Sequence, residues 1–472
     1  MRNYFRFAII IFAVFSFAAL SKSEKFPRPT VLLPNIAFWT KVYAEWTTED
    51  IAFSDESDLS MVYRVIQVPP IGERRNGLTR EQHVKKARAE IVEALKALDL
   101  MKPESEREVS GLPLEIFRAL KDVKRTDKYQ RTDFIRAQNG LSNRFERGYQ
   151  LSGAHDQEIK ARLKREGLPE ELIAIVFVES LFYSSSMSHA GAAGIWQFMR
   201  GTAKEFMRVN QLVDERYDPL IATESAIQYL KGAYAKLDSW PLAITSYNHG
   251  RAGMIRAVER VNSRDIADVL QSYESRSFGF ASRNYYAEFL AALDVYNNAE
   301  QIFTKVKPVP DWAYDVIELP KPVFVQDLVS NRLIDKDWLV QYNPALTPNA
   351  RVGKEVVPQG FKIRIPEGQK DQFDKQFTLL SAKQFDKASA QVRAQHRANG
   401  RQRVFDIAKT YDIFHDQLAK RLGYAPNQIP RRGSVILVRS ADSRFTQIPA
   451  PIFKAGYQMA DSNHDNSIAV GP

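Results

Sequence analysis

A glutamate falls on what reads as the buried face of an apolar helix. Residues 168–180 run Leu-Pro-Glu-Glu-Leu-Ile-Ala-Ile-Val-Phe-Val-Glu-Ser. Pro169 suits a first helical position, and Glu170 and Glu171 suit the positive end of a helix dipole. Leu172, Ile175 and Val176 then form a stripe at helical spacing, and Glu179 lands on the same face. Desolvation favours a neutral carboxyl and raises its pKa, which is what a general acid working near neutral pH requires. A carboxylate paired with a buried arginine, or one that caps the next loop, would fit the same position.

The N-terminus has a composition of its own. Arg2 and Arg6 precede an apolar run from Phe7 to Phe15, extended through Phe17, Ala18, Ala19 and Leu20, and Ala19-Leu20-Ser21 offers small residues where a signal peptidase cuts. The run is short for a membrane span, so residues 1–21 read as a cleaved secretory signal, with an uncleaved anchor as the alternative. The chain has no cysteine. Disulfides, thiolate metal sites, thiol nucleophiles and a lipidated N-terminal cysteine are therefore excluded. The net charge of +10 suits an acidic polymer. Export favours cell wall over nucleic acid, and no nucleic-acid partner is expected.

Along the chain, residues 26–70 read as a helix followed by a hairpin, with Asp55-Glu56-Ser57-Asp58 as a turn and nothing catalytic in view. Helical spacing covers residues 79–124, and residues 133–163 continue as helix through Phe134, Ile135, Leu141, Phe145 and Tyr149. Helices follow to about residue 305: Thr202 to Val209, one opening at Asp218-Pro219, one broken at Asn248-His249-Gly250, and a last one from Ser282 to Ala299. Lys307-Pro308-Val309-Pro310 is a linker signal. Beyond it a strand-helix-helix-strand unit occurs twice, around residues 306–366 and 401–440, separated by a charged helical spacer at 367–400. Residues 441–472 read as a disordered tail. The fold class is mainly α: an N-terminal α+β and helical region over 22–125, an all-α domain over 126–305, and small α+β modules after it.

Four motifs in the central block resemble, in order, those of the lytic murein transglycosylase family with the soluble-lytic-transglycosylase (goose-lysozyme-like) catalytic domain, and within it the membrane-bound type D subgroup. They are Glu179-Ser180, then Gly191-Ala-Ala-Gly194-Ile-Trp196-Gln197-Phe-Met199, then Ser246-Tyr247-Asn248-His249-Gly250, and a helix carrying Arg283-Asn284-Tyr285. The third motif has serine where the family has alanine, and Ala281-Ser282 replaces a frequent Glu-Thr before the fourth. The flanking unit is similar to LysM modules, which bind N-acetylglucosamine-containing glycans. Val404-Phe-Asp-Ile-Ala-Lys-Thr-Tyr411 keeps part of that pattern, while the Gly-Asp-Thr start is missing. The earlier copy keeps Tyr342-Asn343-Pro344-Ala345-Leu346, typical of the domain beside type D catalytic domains. Type D enzymes are typically lipoproteins, and without cysteine this chain cannot be one.

The resemblance implies cleavage of the bond between N-acetylmuramic acid and N-acetylglucosamine in peptidoglycan, with a 1,6-anhydro end formed on the muramic acid. Glu179 would act first as acid and then as base, and the motif residues around it offer no second acid. Substrate contacts would come from Ser180, Ser188, Gly191, Gly194, Gln197, Met199, Tyr247, Asn248 and Tyr285. The glycines would let backbone approach a sugar ring. The amides of Gln197 and Asn248 would meet N-acetyl and hydroxyl groups. Tyr285 would hold the carboxyl, and Tyr247 would stack on a sugar. His189 and His249 read as loop residues facing solvent. No metal pattern is present, and no cofactor is expected. A periplasmic enzyme follows, peripherally associated with the envelope and acting as a monomer on glycan strands. Two alternatives stay open: a goose-type lysozyme hydrolase on the same scaffold, and a non-catalytic peptidoglycan-binding scaffold.

Overall fold

Long apolar stretches at helical spacing dominate the middle of the chain, and the helices that bury them set the architecture. The structure, a computed structural model, describes residues 25–210, 212–352, 356–392, 394–411 and 413–438. The expected leader at 1–21 and the expected tail at 441–472 lie outside the described residues. Among those residues, no helix is long and apolar enough to cross a membrane.

The first helix, α1 (Leu33–Ala44), is followed by strands β1 (Asp50–Asp55) and β2 (Val62–Gln67) and by helices α2 (Arg80–Met101) and α3 (Gly111–Ala119). Strand β3 (Ile135–Asn139) comes next, and the sheet runs in the order β2-β1-β3 with antiparallel pairing throughout. This strand corrects the helix expected from residue 133. The helical spacing of Phe134, Leu141 and Phe145 is coincidental: Phe134 is exposed, and residues 135–139 satisfy their backbone against β1. One face of the sheet, with Ile51, Phe53 and Tyr63, packs on Ile91, Leu95 and Leu98 of α2 and Ile116 of α3. The sheet therefore extends past the boundary expected at residue 125.

Helices α4 (Ser142–Ser152), α5 (Asp156–Arg165), α6 (Ala174–Ser180), α7 (Arg200–Phe206), α8 (Pro219–Leu237), α9 (Trp240–His249), α10 (Arg251–Val261), α11 (Ile266–Ser272), α12 (Phe280–Asn297) and α13 (Ala299–Ile302) share one core with α1. Helix α7 ends at Phe206 rather than at residue 209. The expected domain border is thus wrong in a second respect: Phe38, Trp39, Val42 and Tyr43 of α1 are core residues of the helical domain, packed along α12. Helix α6 lies at the centre. Pro169 precedes it as the cap of a short 3-10 turn (Glu170–Ile173), and Ile173 to Phe177 are buried on every side, so the helix has no solvent face there.

The first C-terminal unit contains β4 (Tyr314–Glu318), β5 (Val323–Phe324), α14 (Val325–Ser330), α15 (Lys336–Tyr342), α16 (Pro348–Arg351), β6 (Val356–Val357) and β7 (Lys362–Pro366), with β4 antiparallel to β7 and β5 to β6. Helices α17 (Lys370–Thr378) and α18 (Ala382–Val392) follow. They do not form a spacer. Phe373, Phe377, Leu380 and Phe385 join the core of that first unit. The second unit is β8 (Ala394–Arg397), α19 (Val404–Thr410), α20 (His415–Leu422) and β9 (Val435–Val438), with β8 antiparallel to β9. It therefore begins within the stretch expected to be helical spacer. The molecule is mainly α, with small α+β parts at both ends of the chain.

Candidate active site

Burial decides the state of the central carboxyl. Glu179 ends the buried helix α6, with its side chain part-buried, and α6 packs against α12. From α12 the hydroxyl of Tyr285 donates a 2.5 Å hydrogen bond to Glu179 Oε1. Desolvation pushes the Glu179 pKa up to about 7, and the Tyr285 bond opposes that rise. Tyr285 is itself buried, and burial together with the neighbouring carboxylate raises its pKa well above 10, so it stays a donor. The result is a carboxyl that exchanges its proton near neutral pH and is held by a fixed donor.

The chain around α6 is strained. Leu181 (φ 51°), Phe182 (φ 61°) and Gln197 (φ 47°) all adopt left-handed conformations that branched or bulky side chains rarely take. The Leu181 turn is held from behind: a Cβ on Gly148 would lie 2.4 Å from its carbonyl oxygen.

The second motif forms a compact loop. The Ser188 N–H donates to Ala192 O at 2.8 Å, and the Ser188 hydroxyl accepts from the Ala192 N–H at 3.0 Å. Ser180 is buried and donates to Ile195 O at 2.8 Å, tying the loop to α6. Gln197 donates its side-chain amide to Gly194 O at 2.7 Å, so this donor shapes the loop. The two glycines differ. Gly191 (φ +85°) has open space around it and is required for its backbone angle. At Gly194 (φ +76°) a Cβ would lie 1.7 Å from Arg216 O, so the close approach is to protein backbone, not to a sugar. Met199 precedes α7 as its cap residue, part-buried.

The third and fourth motifs meet the first two. Tyr247 donates to Trp196 O at 2.9 Å and packs edge-on against Phe198, and burial, with the nearby Glu179 carboxylate second, raises its pKa. Its hydroxyl is thus committed to the loop. Asn248 Oδ1 accepts from Ser282 at 2.7 Å. Ser282, one of the two residues standing where Glu-Thr is frequent, therefore orients the asparagine. His249 is not a solvated loop residue: its ring lies edge-on to Phe278 at 4.9 Å and against Gly253. His189 is exposed, as expected.

Two ionisable neighbours of Glu179 lie outside the motifs. Glu288, one turn after Tyr285 on α12, is buried with Oε1 lacking a hydrogen-bond partner. Its pKa is pushed up to about 8 by burial and then by the Glu179 charge, against Arg136 and a hydrogen bond from Tyr43. Tyr43 belongs to α1, so the N-terminal region reaches the surroundings of Glu179. A second acid does stand near Glu179, outside the motifs. Helical spacing from Tyr285 to Glu288 was the available signal. No sequence pattern marks Tyr43.

Residues 156–270 match the family model described as the Transglycosylase SLT domain. That range holds Glu179, Gln197 and Asn248 and stops short of Tyr285 and Glu288. A membrane-bound lytic murein transglycosylase D of Escherichia coli (strain K12) is 26% identical over 145 residues, 30% of this chain and 31% of that protein. A putative tributyltin chloride resistance protein of Alteromonas sp. (strain M-1) is 29% identical over 108 residues, 22% of this chain and 52% of that protein. The chain thus spans about a third to a half of the length of these curated relatives. Among solved structures, an inactive mutant of the lytic transglycosylase Slt from Pseudomonas aeruginosa covers 48% of this chain and 32% of its own at 19% identity, with a TM-score of 0.27.

Proposed function

We propose that this protein is a peptidoglycan lytic transglycosylase that uses Glu179 as its one acid and base. The observation that carries the reading is the Glu179–Tyr285 pair: a carboxyl on a buried helix, pKa about 7, held at 2.5 Å by a permanent donor. The motif match over residues 156–270 and the relatedness to transglycosylase D support it.

Neutral Glu179 gives its proton to the glycosidic oxygen as the bond from the muramic anomeric carbon breaks. The carboxylate left behind takes the proton of the muramic 6-hydroxyl, whose oxygen closes on the same carbon. The proton count balances and no water enters. Because the nucleophile belongs to the substrate, high effective concentration replaces activation of water. Tyr285 stabilises the carboxylate between the two steps. Asn248, oriented by Ser282, and Gln197, Ser188, Met199 and Tyr247 around the loop form the sugar-facing wall. Gly191 sets its backbone angle.

A goose-type hydrolase needs a second carboxylate with space for water beside the sugar. Glu288 is buried and holds its proton at neutral pH, which suits neither role of such a base. The substrate is peptidoglycan glycan strand, and the working compartment is the periplasm. The paired end strands and two helices of the unit from Ala394 to Val438 support reading it as a LysM-like module, which would give a second contact with glycan.

Incubation with purified sacculi, followed by mass analysis of the released muropeptides, tests the activity. Anhydro-muropeptides from the wild type and none from Glu179→Gln are expected. Reducing ends would make the protein a hydrolase. Sedimentation with sacculi and no released product would make it a scaffold.

A further inference from the structure

The first C-terminal unit touches the helical domain through groups that are rarely buried for nothing. Arg364 of β7 makes a fork to Asp218 at 2.5 and 2.9 Å, with both residues buried. Asp218 also caps α8, accepting from the N–H groups of Leu220 and Ile221 at 3.1 Å each. Asn343 clasps the same strand, accepting from the Arg364 N–H at 2.7 Å and donating to Arg364 O at 3.0 Å. A short antiparallel bridge joins Val213 to Leu346, Asp214 N donates to Ala345 O at 2.8 Å, and Val213 belongs to the core of the unit. Ala345 and Leu346 are therefore engaged by the helical domain, while Asn343 holds β7 of its own unit.

From there the contacts run on to the motif loop. The Asp214 carboxylate holds the Arg216 guanidinium at 2.9 and 2.8 Å, both side chains buried. Arg216 Nη1 then donates to Gly191 O at 2.7 Å and to Phe198 O at 3.1 Å. Its own carbonyl oxygen fills the space beside Gly194. Arg216 thus grips both ends of the loop that carries Gln197 in a left-handed conformation. A strained turn persists only where its surroundings over-determine it.

We propose that the first C-terminal unit is a buttress of the motif loop, acting through Arg364–Asp218 and through Asp214–Arg216, which are positioning residues. The inference rests on the reading of the loop as the substrate wall of a transglycosylase. On this account the unit raises turnover by keeping Gly191 to Phe198 in one geometry, and it contributes little to holding glycan. A displacement of catalytic groups by about 1 Å from a remote change lowers a rate by as much as ~100-fold.

The test is hydrogen exchange by mass spectrometry on the full chain, read at peptides covering residues 186–199, for the wild type, Arg364→Met and Arg364→Lys. Local opening sets such exchange. Arg364→Met should speed exchange there by about tenfold or more. The same variant should lower kcat on sacculi about 10- to 100-fold, with KM and sedimentation with sacculi near wild type. Arg364→Lys keeps the charge without the fork and should fall between; it decides the matter if Arg364→Met does not fold. Wild-type exchange over 186–199 in the folded variants would overturn the proposal. So would lost sacculus binding with unchanged exchange and kcat, since the unit would then be a glycan holder. Exchange needs no turnover, so an inactive wild type would refute the proposed activity and leave the buttress still open to decision.

Discussion

Replacing Tyr285 by phenylalanine removes one hydroxyl from a buried site and leaves the ring in place. The hydroxyl donates at 2.5 Å to Glu179 and pulls the Glu179 pKa down against desolvation. A hydrogen bond to a charged group is worth about 1.5–3 kcal/mol. At about 1.4 kcal/mol per unit, its loss should raise the Glu179 pKa by roughly one to two units above the wild-type value. The sign follows from the chemistry. The first step needs the neutral acid, so the alkaline limb of kcat/KM, which reports loss of that proton in the free enzyme, should move to higher pH. At the same time the carboxylate of the second step loses its anchor, and kcat at the optimum should fall about 10- to 100-fold. Release of anhydro-muropeptides from sacculi, followed from pH 5 to 10 for wild type and Tyr285→Phe, reads both effects. An alkaline limb that stays in place or moves down, or an unchanged kcat, would refute the reasoning.

Other perturbations follow from the same geometry. Glu288 has a folded pKa of about 8, well above its ordinary value, so the folded state keeps a proton that the unfolded chain loses between these limits. Its ionisation therefore destabilises the fold as pH rises through that window. At about 1.4 kcal/mol per unit, Glu288→Gln should stabilise the protein by up to about 5 kcal/mol above pH 9 and by little below pH 4, as thermal melts at the two pH values will show. Gly194→Ala meets Arg216 O at 1.7 Å in a left-handed backbone and should cost more than about 3 kcal/mol in denaturant unfolding. Gly191→Ala has open space and only the backbone penalty, about 1–2 kcal/mol in the same measurement. Ser282→Ala frees Asn248 Oδ1 and should raise KM severalfold in sacculus turnover while leaving the melting temperature within a few degrees.

Much of the site was legible because its chemistry is local in the chain. A glutamate placed among Leu172, Ile175 and Val176 announces a desolvated acid. The helices after residue 140 follow their apolar spacing closely. What could not be read depended on contacts between distant segments. Tyr43 and Glu288 meet only because α1 packs along α12, and an aromatic residue in an apolar stretch looks like any core residue. The strand at Ile135–Asn139 was misread because five residues between helical signals carry too little periodicity to outvote their neighbours. The loop-holding contacts of Gly194 and Ser180 carried no separate sequence signal. Both types suit a ligand, and here both are used to hold the loop against Arg216 and α6. The left-handed angles at Leu181 and Phe182 have no sequence signal, since neither residue type favours them.

The central claim is that Glu179 closes the substrate's own hydroxyl onto the anomeric carbon and that no water takes part. Digesting sacculi in water enriched in oxygen-18, with wild type and Glu179→Gln side by side, tests it directly. The account predicts muramic ends lighter by one water than hydrolytic ends, free of the heavy isotope, and no product from the variant. Heavy oxygen at the anomeric carbon would contradict it, and so would product formation by Glu179→Gln at the wild-type rate.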